Sequence, residues 1–468
     1  MIGRRRLGVA LATMLMTAAC TTASPTTGAP PSSSSASTLR ETTTSAPPPP
    51  TTVGRSVGDG ITVTDDTIYL GLLADLTGPF SGQVVDVVDA QIAFWEKVND
   101  AGGIDGRKVE LLIADTGYDV DTTVAKYQEL MPRVVLFAHV TGSQQMLAIA
   151  DRLVADDRLA IPLTWYSGWS DPVIGRNVLE VGTNYCVEAI NTIDYLVSSF
   201  RDELGRAPRV AIATVPDDYG GDSAAGAQYA IQALGAQLVY DGVGALVPGE
   251  DISPVVAGIS RSRADLTWIS TDPITFATVM AGAIQLGYTG QWSGASPTFN
   301  SRLLDTALGE VVGNQVVVPL VAAPLGAEVP GMAEVYRTLA DTYPDRYPSD
   351  ALVTGYLEFA VARQLLEKAA DLGDLTPAGV VAASAEIGSF SYQGIAPPNL
   401  YTADPNLSVS RASGIGKLDK GRFDRQGGLA ARMGDGAVSA LDIVEPFAAS
   451  DLATAYDFTR PCYQVGSP

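Results

Sequence analysis

The sequence predicts an α/β protein of two doubly wound lobes, each a parallel sheet covered by helices on both faces. Three observations carry this. Apolar runs of four to six residues alternate with stretches of helical period through most of the chain. Residues 69–119 read as strand, loop, helix, glycine stop and strand, which is a βαβ unit. The same alternation restarts near Gly182 at similar length. Strands separated by helices pair in parallel, and a parallel sheet buries both faces.

In chain order, the first lobe begins near Asp66. The run 69–74 is its first strand, and Thr77-Gly78-Pro79 marks the turn after it. Val87, Ala90, Phe94 and Val98 recur at three and four residues, as one helix face does. Ala101-Gly102-Gly103 stops that helix, and 109–114 is the next strand. A helix at 122–130, a strand at 134–137 and a loop at 138–143 follow, the loop opening a helix with Met146, Ile149 and Leu153 on one face. The strand 159–163 ends in Thr164-Trp165-Tyr166-Ser167-Gly168-Trp169. The second lobe reads as helix 184–203, strand 209–214, loop 215–221, helix 223–234, strand 237–240, helix 254–262, strand 265–270, loop 271–273 and helix 275–286. The two lobes repeat in pattern and not in letters.

The chain has 468 residues, 46% of them hydrophobic and 18% charged, enough for a large core. A formal net charge of −22 repels phosphate backbones and excludes nucleic acid as a partner. Acidity says nothing further about a substrate; a solubilising surface accounts for it. At the N-terminus, Arg4-Arg5-Arg6 precedes an apolar stretch at 7–19, too short to span a bilayer. Thr17-Ala18-Ala19-Cys20 reads as a lipobox, which makes 1–20 a signal peptide and Cys20 the lipidated N-terminus of an extracytoplasmic, membrane-anchored protein. Residues 21–60, rich in Ser, Thr and Pro, are expected to be a disordered tether reaching roughly 35–40 Å. With Cys20 lipidated, Cys186 and Cys462 remain, and a pair of cysteines in an exported protein invites a disulfide.

The run around Leu76-Thr77-Gly78-Pro79-Phe80-Ser81-Gly82, the stretch Asn99-Asp100-Ala101-Gly102-Gly103-Ile104-Asp105-Gly106-Arg107-Lys108, and Asp115-Thr116-Gly117-Tyr118-Asp119 resemble the branched-chain amino-acid-binding family, type I solute receptors of ABC importers. The resemblance implies a type I periplasmic-binding-protein fold. It returns the chain to the first lobe at 315–320 with helices at 330–343 and 350–370, and a further crossing near Ser391 completes a three-segment hinge. The expected lobes are then 66–183 with 315–390, and 184–314 with 391–468, the region from 396 adding short strands to the second lobe. The partners implied are a small-molecule ligand, an ABC permease and, through the lipid, the membrane. A monomer is expected, with no cofactor.

Candidate ligand groups come from the loops after strands, where the crevice of such sheets opens. Thr141, Gly142 and Ser143 precede a helix, so they are caps, carboxylate-binding groups, or both; in the family this loop binds the ligand carboxylate. Ser81 is either a turn residue or a second hydroxyl at the cleft. Tyr219-Gly220 is similar to the family's pair whose ring covers the ligand. Asp272 and Ser296 match loops that hold the ligand ammonium. Serine at 296, where the family often has an acid, weakens a plain amino acid, and Asp272 or Asp218 would be the counter-ion. Tyr356 matches a position near the hinge or is core. In the aromatic segment 165–169, Tyr166 and Ser167 are expected to line the cleft; its aromatics would pack on the ligand or beneath the loop, both tryptophans being candidates for packing.

An enzyme finds little support. The only histidine is His139, which leaves no multi-histidine metal site. Gly54-Arg55-Ser56-Val57-Gly58 spells a nucleophile-elbow motif, but in the tether, without strand or helix. Asp217-Asp218 reads as a solvated pair, and no phosphate-cradling glycine motif is present. A receptor feeding a permease is the favoured reading. A sensor of the same fold and an extracytoplasmic enzyme are the alternatives.

Overall fold

The computed structural model describes residues 62–401 and 405–464, all within a compact unit spanning Thr52–Pro468. The proposed signal segment, Cys20 and the tether lie outside the described residues.

The first βαβ unit comprises β1 (Thr67–Ala74), α1 (Ser81–Asp100) and β2 (Lys108–Asp115); α2 (Val120–Leu130), β3 (Leu136–Thr141), α3 (Ser143–Ala155) and β4 (Ala160–Leu163) follow. These strands form one parallel sheet in the order β2-β1-β3-β4. Every residue of β1 is buried, because successive side chains face opposite layers. Ile68, Leu70 and Leu72 pack with α1 and later helices. Tyr69 and Leu73 pack with Tyr127 of α2 and Met146 and Ile149 of α3.

The second set repeats this winding. It contains α4 (Tyr185–Leu204), β5 (Arg209–Thr214), α5 (Asp218–Ala233), β6 (Gln237–Gly242), α6 (Ser253–Ser262), β7 (Leu266–Ser270), α7 (Pro273–Gln285) and β8 (Gln291–Ser293). Its parallel sheet has the order β6-β5-β7-β8. In both sheets the order reverses beside the first strand, and the crevice at such a reversal opens beyond the strand carboxyl ends.

The chain continues through α8 (Gly309–Gln315), β9 (Val318–Leu320), α9 (Met332–Thr342), α10 (Ala351–Asp371), α11 (Pro377–Ser384), β10 (Gly388–Phe390), β11 (Asn399–Tyr401), α12 (Pro405–Ser408), β12 (Ser413–Leu418), α13 (Lys420–Arg425), β13 (Leu441–Ala448) and α14 (Asp451–Ala455). Strand β12 pairs antiparallel with both β9 and β13. Val318, Leu320, Ile415 and Leu441 belong to the second core, whereas Ala323 and Leu325 belong to the first. The chain thus passes to the first core after β9 and not at 315. It stays there beyond 391: Tyr392, Ile395 and Tyr401 pack with the first core, and β10 pairs with β11. The apolar residues of that stretch share a core with residues of α9 and α10 before the tail turns back.

Helix α10 lies close against α1. A Cβ at Gly355 would stand 2.3 Å from the Val87 carbonyl oxygen, so only glycine permits this approach. About one turn further on, the same contact brings Glu358 of α10 to Gln91 of α1, Nε2 to Oε2 2.7 Å.

Candidate functional site

Helix α3 begins abruptly. Strand β3 runs to Thr141, so the expected loop at 138–143 contracts to Gly142, and His139 lies in the strand. Histidine and threonine remain there, fully covered, because they bond one another: His139 Nε2 to Thr141 Oγ1 is 2.7 Å. Gly142 has φ +97°, a conformation that favours glycine, and a Cβ there would collide with Gln145 and Tyr118. With glycine at the N-cap, no side chain caps α3, and its first N–H groups have no partner within the helix. Helices α2, α5 and α7 differ, each capped by an aspartate: Asp119, Asp217 and Asp272.

The α3 N-terminus opens on a cavity of about 150 Å³ lined from both sheets. Thr141, Gly142, Ser143, Tyr219 and Ser296 all reach it, as does Trp165. Near these groups the wall is aromatic: the Tyr185 and Tyr219 rings are 4.8 Å apart, Trp165 and Tyr185 6.0 Å, and Phe80 and Tyr118 5.0 Å. Elsewhere it is mixed: Val84 and Val87 of α1, Val318 and Leu320 of β9, Leu418 and Leu441 are hydrocarbon, while Gln83, Asn300, Ser301, Asp350 and Thr354 add polar groups.

Several expected site residues stand elsewhere. Ser81 does not line the cavity; its hydroxyl donates to the Gly78 carbonyl, 2.7 Å, closing the turn. Asp272 accepts from the N–H groups of Ile274 and Thr275 and serves as a helix cap. The segment 165–169 departs from expectation at three positions, while Trp169 packs in the first lobe. Trp165 faces the cavity, with Nε1 donating to the Val181 carbonyl. Tyr166 and Ser167 pack away from it: the Tyr166 hydroxyl donates to the Tyr463 carbonyl, 2.7 Å, and the Ser167 hydroxyl to Asp222. Their partners lie some 55 and 297 residues away, beyond any local pattern. Tyr356 stacks near Phe94 and does not reach the cavity. Tyr219 does line it, but from the first turn of α5, where its hydroxyl meets Thr298 Oγ1 at 2.9 Å and its ring joins the second core. A residue so packed supports the fold as well as lining the cavity.

Ser296 has an acid behind it after all. Its N–H and hydroxyl both donate to Glu188 of α4, 3.0 and 2.9 Å. Nothing in the spacing of Glu188 from Ser296 marks the pair in the sequence. Asp218 is 1% exposed and lies beside the Ser143 hydroxyl, without a well-formed hydrogen bond at either carboxyl oxygen, unlike the solvated pair the sequence suggests.

These carboxyls give a pH signature. Burial pushes Glu188 up to about 8, against the opposing Ser296 bonds. Burial, reinforced by Asp217, pushes Asp218 up to about 7; burial also takes Asp222 to about 7 and Asp350 to about 6. A carboxyl held more tightly protonated in the folded chain contributes stability that is complete below the ordinary carboxylate range and lost as pH rises through its folded value. Ligand-free protein is therefore expected to lose stability between about pH 5 and 8, by about 1.4 kcal/mol per pH unit for each such group while it stays protonated. Denaturant unfolding across this range checks it; a midpoint that climbs steadily with pH would overturn it.

Among the described residues no group of His, Cys, Asp or Glu is arranged to hold a metal ion, and no helix is long and apolar enough to cross a membrane. Cys186 and Cys462 are bonded, with Cα atoms 6.4 Å apart.

A family model described as periplasmic binding protein matches residues 67–422. Among solved structures, a fatty acid ABC transporter substrate-binding protein from Thermomonospora curvata is 26% identical, with 86% of this chain and 97% of that one covered and a TM-score of 0.74. A branched chain amino acid ABC transporter protein from Thermus thermophilus with bound valine is 15% identical, covering 84% and 98%, at a TM-score of 0.68. A substrate-binding protein from Aeropyrum pernix is 18% identical, covering 83% and 98%, at 0.67. No curated protein matches the chain. With the family model spanning most of its length and two like-wound parallel sheets flanking one cavity, the chain belongs to the periplasmic binding protein family.

Proposed function

We propose that this protein is a lipid-anchored, extracytoplasmic receptor of an ABC importer that captures a small carboxylic acid with a hydrocarbon body. The observation that carries the reading is the uncapped α3 N-terminus at a cavity whose remaining wall is mostly aliphatic and aromatic. Free N–H groups and the helix dipole favour an anion there. The hydroxyls of Thr141 and Ser143 stand beside it. A cavity of about 150 Å³ suits a body about the size of benzene. The fatty acid receptor that this chain resembles supports an acid with an apolar tail. The lipobox at Cys20 supports anchoring, and the ABC permease follows from the receptor's kind. Closure over the acid requires that the acid favour the closed form.

A second reading, an apolar amino acid, draws on Asp218, a buried carboxyl beside Ser143 of the cavity wall that would accept an ammonium. A thermal-shift screen separates the two, using straight-chain carboxylates of four to twelve carbons, aromatic acids, and amino acids of matching side chain. A ligand at about a hundredfold its Kd adds roughly 2.7 kcal/mol of stability. The proposal expects that shift from simple acids. Shifts only from amino acids, lost in Asp218→Asn, would establish the second reading, and no shift from any acid would overturn both.

A further inference from the structure

Behind Thr141 stands a buried chain of polar groups that ligand capture alone does not explain. His139 Nε2 is 2.7 Å from Thr141 Oγ1, and its Nδ1 is 2.8 Å from Glu358 Oε2 on α10. Both His139 and Glu358 are 0% exposed. Gln91 donates to the same Glu358 oxygen, and the Asp75 backbone N–H donates to Thr141 Oγ1, 3.2 Å. The chain runs from α10 through β3 to a hydroxyl at the cavity wall.

Hydrogen counting gives this chain two states. When the His139–Glu358 pair holds one shared proton, Nε2 carries a hydrogen, whichever partner bears the charge. Thr141 Oγ1 then accepts from His139 and from Asp75, and its own hydrogen is free to donate into the cavity. When the pair loses that proton, Nδ1–H serves the Glu358 carboxylate and Nε2 becomes an acceptor. The Thr141 hydrogen turns to Nε2, and only a lone pair faces the cavity. We propose that His139 and Glu358 are positioning residues that set Thr141 as donor or acceptor, so that the protein binds an ionised carboxylate together with retention of their shared proton. The inference rests on the carboxylate reading above.

Burial supports the protonated pair as the resting state. An unneutralised carboxylate in a dry interior is costly, and burial pushes the Glu358 carboxyl up even against the opposing His139 and Gln91. The other titratable groups around this chain are Asp75, committed to the Gly78 and Phe80 N–H groups, and, at the cavity, Tyr118, Tyr185 and Asp350, with Asp218 beside Ser143 and Glu188 behind Ser296. Asp218, Glu188 and Asp350 are the competing proton carriers, so the experiment isolates each.

The test uses the tightest-binding straight-chain carboxylate of four to twelve carbons and the full chain. Its Kd is measured by calorimetry from about pH 5 to 9 in wild type, His139→Gln, Asp218→Asn, Glu188→Gln and Asp350→Asn. The expected profile is a Kd rising about tenfold per pH unit above the free-protein transition, kept in the three carboxyl variants and flat in His139→Gln. The chain has one histidine, so imidazole 15N NMR reports His139 alone even if the variant folds poorly. Bound carboxylate should move loss of the Nε2 hydrogen to higher pH by at least about one unit. A His139→Gln profile matching wild type, or an Nε2 indifferent to the carboxylate, overturns the proposal. Binding without pH dependence overturns it while leaving the carboxylate reading intact. No binding by any acid of the series overturns that reading and this proposal together.

Discussion

Removing the Cys186–Cys462 bond is expected to lower stability by about 5 kcal/mol, among the largest effects of any small change to this chain. The bond closes a sequence separation of 276 residues, and the chain-entropy account of a loop so long gives about 5 kcal/mol, with strain and residual structure reducing it in practice. The surroundings add a native-state component. Cys186 is fully buried in α4, in a small core with Val187, Ile190 and Phe458. The tail it holds is tied further by the Cys462 N–H to Ser167 Oγ, 2.8 Å, and by the Tyr463 carbonyl to Tyr166. Arg411 lies over the Phe458 ring at 4.3 Å and donates to the Ala453 and Tyr456 carbonyls. Denaturant unfolding of oxidised wild type beside a Cys186→Ser/Cys462→Ser variant measures the difference. A loss under about 1 kcal/mol would mean that these contacts hold the tail without the covalent link.

Arg346→Ala should cost about 3–5 kcal/mol, the range for stranding a buried charge by removing its partner. Asp86 and Asp89 of α1 are 1% and 7% exposed. Arg346 meets Asp86 Oδ1 at 3.0 Å and also bonds Asp89. Arg302, in a segment packed with the second core, meets the other Asp86 oxygen at 3.2 Å, and so joins α1 to that core beside the cavity. Burial already pushes the Asp89 carboxyl up, with Arg346 opposing. Without Arg346 the Asp89 carboxyl rises further, and the variant should regain stability as pH falls and it takes up a proton. Unfolding of Arg346→Ala at about pH 5 and 8 checks the sign. A variant within about 1 kcal/mol of wild type at the higher pH would show that solvent reaches these carboxylates once the arginine is gone.

Much of the fold is legible in the sequence because its signals are local. The period of Val87, Ala90, Phe94 and Val98, the glycines at 102 and 103, and the apolar run of β1 each specify an element within a few residues. The element ends depend on longer range. Strand β3 extends through His139 and Thr141 because Glu358, 219 residues from His139, satisfies the histidine. Helix α5 starts at Asp218, ahead of the expected 223, because Asp217 caps it.

At the site, the glycine turn and the hydroxyls at 141–143 and Tyr219 could be read from strand–loop–helix order. What could not be read is which way each residue of the aromatic segment faces. Trp165 turns to the cavity while Tyr166 and Ser167 turn to Tyr463 and Asp222, and alternating direction alone does not say which set meets the other sheet. Glu188 and Ser296 meet only because α4 packs against the segment after β8. The sequence by itself determined the alternation of strand and helix, the strand-end loops and the availability of two cysteines for pairing. Tertiary structure alone decided which carboxyls are buried, which groups share the cavity and where the chain changes cores. Those outcomes depend on desolvation and contact between residues far apart in the chain, which no window of neighbouring residues encodes.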